Sequence, residues 1–249
     1  MFGKRLKWAW VGVFACAASG LRAEDTGTLK GTIQITGKTR PVTNLFNDVK
    51  TIPECASQYP DQKVRSEEVV APRIKEGQDD PRFLQNVIVY IKSDFGGKTF
   101  PAPSTTVTLD QKGCVYHPHV LTLQTDQQMI IQNSDPTMHN INGQAEINPA
   151  FNKGQNQQGM KDPVSFKKPE IFKVKCDVHK WMGAWIGVFS HPFHAVTDGK
   201  GGYEIKGLPA GEYDIVFWHE VYGQNTEKVS IKAGENTKDF NFKAEEEKK

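Results

Sequence analysis

Three side chains with donor atoms for a metal fall within seven residues of the stretch KCDVHKWMGAW: Cys176, His179 and Met182. A thiolate, an imidazole and a thioether suit copper. Zinc takes the first two readily but has little use for methionine. The competing reading makes Cys176 a small buried apolar residue at the end of a strand, a common fate for a free cysteine. A CxxH spacing alone does not decide between them. Upstream, His139 followed by Asn140 supplies a second imidazole at the end of another β-rich stretch.

Cysteine usage depends on compartment. MFGKRLK is a basic start, WAWVGVFACAA is an apolar run too short to span a bilayer, and LRA ends at a small residue, so residues 1–23 read as a secretory signal. Acylation of Cys16 is a weaker alternative, because Val13 and Phe14 make a poor lipobox. Export leaves Cys55, Cys114 and Cys176 where thiols oxidise, and the odd count requires one thiol left over. If Cys55 and Cys114 pair, that thiol is Cys176. Losing the signal removes four of the 31 basic residues and none of the 29 acids, for a net charge near −2. No basic stripe remains to hold nucleic acid. Periplasmic or secreted localisation follows, with no transmembrane segment once the signal is removed.

The elements that must position these residues read as all-β. Of the 249 residues, 37% are hydrophobic and 24% charged, as in a soluble globular protein with room for one large or two small domains. Short alternating or β-branched runs recur at 27–37, 86–92, 105–110, 120–124, 128–133, 170–177, 185–190, 193–198, 202–208, 212–220, 228–234 and 237–243. No helix is expected. Residues 38–82 look irregular, and 148–163 are polar enough for a long surface loop.

Two families are resembled. AVTDGKGGYEIKGLPAGEYDIVFW, with the strand signals after it, resembles the transthyretin-like carboxypeptidase regulatory domain, a seven-stranded β-sandwich. The match covers 193–243, and its opening strands are expected at 27–37 and 86–92, which implies a discontinuous domain of 27–100 and 190–244. The segment between them, 104–189, resembles the cupredoxins: strands lead to NSDPTMHN, and EIFKVKCDVHKWM resembles the short closing loop of amicyanin-like members. That resemblance implies a Greek-key β-sandwich inserted in or packed on the first.

It also implies one type 1 copper held by His139, Cys176, His179 and Met182, with the backbone N–H of Asn140 donating to the Cys176 sulfur. Such a protein shuttles single electrons between redox partners, for instance a c-type cytochrome or a periplasmic dehydrogenase, and is not an enzyme. The alternative is a copper-binding or structural surface module that docks a protein or glycan. By the same resemblance the electron leaves through His179, whose outer edge meets solvent in an apolar patch of Trp181, Met182, Trp185, Pro136 and Met138. Asp177 and Lys180 depart from the usual small or apolar neighbours.

The remaining histidines draw plainer expectations. His117 and His119 alternate along a strand and could share a second metal, but solvent exposure beside the disulfide is the expectation. His191 and His194 read as structural, at the joint between the two units. His219, within Trp218–Glu220, reads as a hydrogen-bonded strand end, or as a second-metal ligand in the rival enzyme reading. No Ser/His/Asp set, phosphate loop or HExxH motif is present.

Overall fold

The computed structural model describes residues 26–78 and 80–244; the expected signal, with Cys16, lies outside the described residues. The chain opens with β1 (Thr26–Thr36), two short helices, α1 (Phe46–Val49) and α2 (Pro53–Ala56), then β2 (Arg82–Phe83) and β3 (Ile88–Lys92). The middle supplies β4 (Val107–Lys112), β5 (Val115–His117), β6 (Val120–Gln124), β7 (Met129–Asn133) and β8 (His139–Gly143). It continues with β9 (Phe151–Gln155), β10 (Lys161–Val164), β11 (Glu170–Lys175) and β12 (Gly183–Phe189). The last part holds β13 (His194–Val196), β14 (Gly202–Pro209), β15 (Gly211–His219), β16 (Gly223–Ile231), β17 (Gly234–Thr237) and β18 (Phe240–Lys243). Among the described residues, no helix is long and apolar enough to cross a membrane.

Four sheets stack in pairs around two hydrophobic cores. The sheets β10-β7-β4-β5 and β6-β12-β11-β8-β9 enclose Leu109, Leu123, Ile131, Phe172, Val174 and Ile186. β14-β1-β17, with β2 and β18 also on β1, faces β13-β3-β15-β16 across Leu29, Ile33, Ile91, Ile215 and Phe217. A smaller cluster of Ile88, Val120 and Phe189, with Trp185 and Trp218 against it, joins the two. In β1 the buried alternation resumes beyond Gly31, where a Cβ would stand 1.9 Å from the Lys238 carbonyl. The crossing backbone takes the space a side chain would need.

Three expectations need correction. Helices do occur within 38–82, but α1 and α2 are four residues each, too short to display a 3.6-residue pattern. The stretch 148–163 is not a structureless loop: β9 pairs with β8 and β10 with β7, as edge strands. Their stability rests on polar pairing that a hydrophobic pattern cannot signal, since Gln155 is buried and donates to the Ile131 carbonyl and Asp162. The last expected strand, 237–243, is shortened to β18, and β17 forms just before it; both are parallel to β1.

Candidate metal centre

β11 and β12 pair antiparallel from Glu170 opposite Val188 to Lys175 opposite Gly183. The loop between them places Cys176, His179 and Met182 at its first, fourth and last positions. Backbone bonds close it tightly: Met182 N–H donates to the His179 carbonyl (2.9 Å), and Cys176 N–H to the Met182 carbonyl (3.2 Å). On its other side β11 pairs with β8, Val174 opposite Gly143 and Lys175 opposite Asn142. Two residues further in that register Asp177 meets Asn140, and its N–H donates to Asn140 Oδ1 at 2.7 Å. His139, the next residue back, is thereby brought over the loop.

The donor atoms converge. His139 Nδ1 lies 2.8 Å from His179 Nδ1, and His179 Nδ1 lies 3.7 Å from Cys176 Sγ. One atom from each of His139, Cys176 and His179 falls within 4.8 Å of the other two. With metal–nitrogen bonds of ~2.0 Å and a metal–sulfur bond of ~2.3 Å, sulfur and nitrogen on a trigonal ion stand roughly 3.7 Å apart. The same bonds set two nitrogens about 3.5 Å apart, so the 2.8 Å between the Nδ1 atoms would have to open on binding; the donor types fit a His₂Cys centre, with Met182 buried in the same core as Cys176.

Electrostatics prepare the sulfur. Burial alone would raise the Cys176 pKa, but hydrogen bonding with His139 and His179 and from the N–H groups of Asn140 and His179 brings it down to about 5. The group is a thiolate at neutral pH, the form that binds metal. Asn140 also places Oδ1 3.2 Å from Sγ, but that oxygen is already engaged by the Asp177 N–H. Asp177 itself turns outward to accept from Asn140, Asn142 and Asn152.

One partner of the site was assigned no role from sequence. Asp135 is buried four residues before His139, and its Oδ2 lies 2.8 Å from His139 Nε2. Burial would lower the His139 pKa; the bond to Asp135 and the contact with Cys176 reverse that, and the net movement is upward. A carboxylate on the far nitrogen of a ligating imidazole is a recurrent feature of metal sites. The available signal was the Asn-x-Asp-x-x-x-His spacing within NSDPTMHN.

The expected exposed edge of His179 is absent. Cys55 and Cys114 form a disulfide, and Cys55 Sγ sits 3.9 Å from His179 Nε2. Trp181 packs against the same ring at 5.1 Å between centroids, and its indole N–H donates to the Cys114 carbonyl (2.8 Å). With Val49 and Val64, this cap leaves His139 and His179 0% and 1% exposed. Tertiary packing of the segment that looked irregular is the reason. The exposed apolar side chains at this end are Met138 and Val178, at 46% and 48%, each directly preceding a histidine of the cluster; Pro136 is exposed beside Met138.

Trp185 is drawn elsewhere. Its indole N–H donates to Glu220 Oε2 (2.8 Å) and its ring packs on Trp218, at the joint between the cores. Glu220 Oε1 also meets His119 Nε2, whose Nδ1 contacts the Gly183 carbonyl (3.1 Å). Of the two strand histidines only His117 is exposed; His119 is buried because the chain turns at Pro118. His191 packs with Phe95 and Phe193, and His194 stacks on Phe189 of the joint, in keeping with structural roles. Among the described residues, every group of three or more metal donors lies at the disulfide-capped end.

No family model and no curated protein matches this sequence. Among solved structures the chain is similar to the copper-containing nitrite reductase of Thermus scotoductus SA-01, with 18% identity, 37% of this chain and 25% of that one covered, and a TM-score of 0.33. It is similar to a purple cupredoxin from Nitrosopumilus maritimus, with 18% identity, coverages of 33% and 98%, and a TM-score of 0.29. It is also similar to a reduced single-residue variant of amicyanin, with 15% identity, coverages of 40% and 97%, and a TM-score of 0.32. The chain thus spans a quarter of the nitrite reductase and nearly all of the two smaller proteins.

Proposed function

We propose that this chain is an exported carrier of single electrons, holding one copper ion between His139, Cys176, His179 and Met182. The observation that carries the reading is the buried convergence of two Nδ1 atoms with a sulfur that is already anionic at neutral pH. A His₂Cys set with a weak axial methionine lets copper change oxidation state with little rearrangement. In this reading residues 104–189 are the cupredoxin module, inserted in a transthyretin-like platform of 27–100 and 190–244. The electron crosses the rim at Met138 and Val178, where a c-type cytochrome or a periplasmic dehydrogenase docks weakly and briefly. The disulfide agrees with an oxidising compartment.

Copper titration of the mature protein tests it. One equivalent of Cu(II) should produce an intense visible band from thiolate-to-copper charge transfer, and Cys176→Ser should abolish it. Met182→Leu should keep the copper at a raised potential, because the weak axial donor is lost. An unchanged spectrum in Cys176→Ser would defeat the assignment. The burial of both histidine edges favours a second reading, copper held without exchange. Oxidation of the Cu(I) protein by a cytochrome separates the two: a carrier reacts rapidly and slows in Val178→Asp, whereas a holding module barely reacts at all.

A further inference from the structure

Asp135 is a buried carboxylate aimed at one histidine of the cluster. Both of its oxygens are held from behind: Gly113 N–H donates to Oδ1 and Cys114 N–H to Oδ2, each at 2.7 Å. Gly113 and Cys114 lie at φ of 67° and 54°, in the left-handed region, and so turn two successive N–H groups onto one anion. That conformation is strained at Cys114, which carries a Cβ, and the disulfide ties the residue to α2. At Gly113 a Cβ would stand 2.4 Å from the Tyr59 hydroxyl oxygen, so a side chain there would displace the Tyr59 ring. The main chain of Asp135 is fixed as well, its N–H donating to Asn133 Oδ1 (2.9 Å).

The two histidines are therefore backed differently. His139 Nε2 meets a carboxylate oxygen at 2.8 Å, whereas His179 Nε2 meets an uncharged disulfide sulfur at 3.9 Å. A carboxylate accepts only, so in the neutral ring, the form that binds a metal, the His139 proton resides on Nε2 and the Nδ1 lone pair points at Cys176 and His179. We infer that Asp135 is the positioning residue of this centre, selecting the metal-binding tautomer of His139 and, through its buried charge, favouring the more highly charged metal state. It acts through His139, not on the ion directly.

This rests on the copper reading, and the test separates the two. In the apo protein, at a pH high enough for the His139 ring to be neutral, its nitrogen-15 spectra should show a single tautomer with a protected proton on Nε2. Asp135→Ala should give mixed tautomers. Asp135→Asn, which keeps the shape and an acceptor oxygen, should restore the tautomer but not the charge. In the copper-loaded protein both variants should lower the ratio of Cu(II) to Cu(I) affinity about tenfold, an upward shift of about 59 mV for a one-electron couple. Wild-type potential in Asp135→Asn, together with a wild-type tautomer in Asp135→Ala, would overturn the inference. Should Asp135→Ala fail to fold, the potential of Asp135→Asn decides alone. If the wild type takes up no copper, the proposed function falls while the apo tautomer comparison still confirms or overturns the role of Asp135.

Discussion

His139 and His219 are equally hidden, 0% and 1% exposed, yet their proton affinities move in opposite directions. At His219, on the last residue of β15, burial dominates and pushes the pKa to about 4, with Nε2 lacking any partner. At His139 the same desolvation is overcome by Asp135 and the Cys176 thiolate. Burial by itself makes a neutral, packing histidine; a ligand histidine also needs anions placed to compensate for lost water. His119 at the joint is a third case, joined to Glu220 but to no thiolate. The disulfide-capped end is a charged network sealed from solvent, and the second core is an ordinary apolar one that contains histidines.

Breaking the cap should have the largest effect on that contrast. Replacing both Cys55 and Cys114 by Ser removes a bridge between residues 59 apart in sequence, which is worth about 4 kcal/mol by loop-closure reasoning. Hydrogen exchange in guanidinium should show the loss in the core around Cys176, at the Val174 and Ile186 amides, and spare the second core at Ile215 and Phe217. Equal loss in both would mean that the two regions fold as one unit and the comparison has no energetic counterpart.

Glu220→Gln tests the joint and should cost about 2 kcal/mol, because it weakens the buried hydrogen bonds that the carboxylate accepts from His119 and Trp185, while the copper spectrum stays as in the wild type. Burial opposes ionisation of Glu220, but the bonds from His119 and Trp185 outweigh it and hold the carboxyl below the usual range. A depressed carboxyl contributes stability that is present above the unfolded value near 4.5 and lost as pH falls through the folded one. The acid limb of a stability–pH curve should therefore flatten in Glu220→Gln. A limb identical to wild type would remove Glu220 from the account.

The smallest change is expected from His219→Phe, about 1.5 kcal/mol at pH 8, since the shape is nearly kept and the one bond lost is that from the Val221 N–H to Nδ1. Its pH signature is the sharper one. In the wild type the unfolded chain gains a proton near 6.5 and the folded chain only near 4, so stability is full above 6.5 and declines between these values. Urea midpoints at pH 8 and pH 5 should converge in His219→Phe, and any change in the copper band would contradict the separation of the two regions.

Much of the architecture is legible because it follows from side-chain period. Alternation marks β3, β6, β7, β14 and β15 within two residues of their bounds, and the odd cysteine count anticipates the Cys55–Cys114 bridge. The close spacing of Cys176, His179 and Met182 is local, so a hairpin loop alone brings them together. Polar pairings carry no such period. β9 and β10 are paired through Gln155 and edge hydrogen bonds, and the two short helices have too few turns to show a face.

What the sequence determined by itself is thus the β character, the donor types and the loop that gathers three of them. Folding decided which histidine receives a carboxylate, which one lies beneath the disulfide, and which is left to packing. The deciding contacts join residues far apart in the chain: Cys55 with His179, His119 with Glu220, and the Cys114 N–H with Asp135. A hydrogen bond depends on two atoms meeting at about 3 Å in a defined direction. Residue order constrains that meeting only within a turn or a hairpin, and beyond that the packing of sheets and cap chooses the partner.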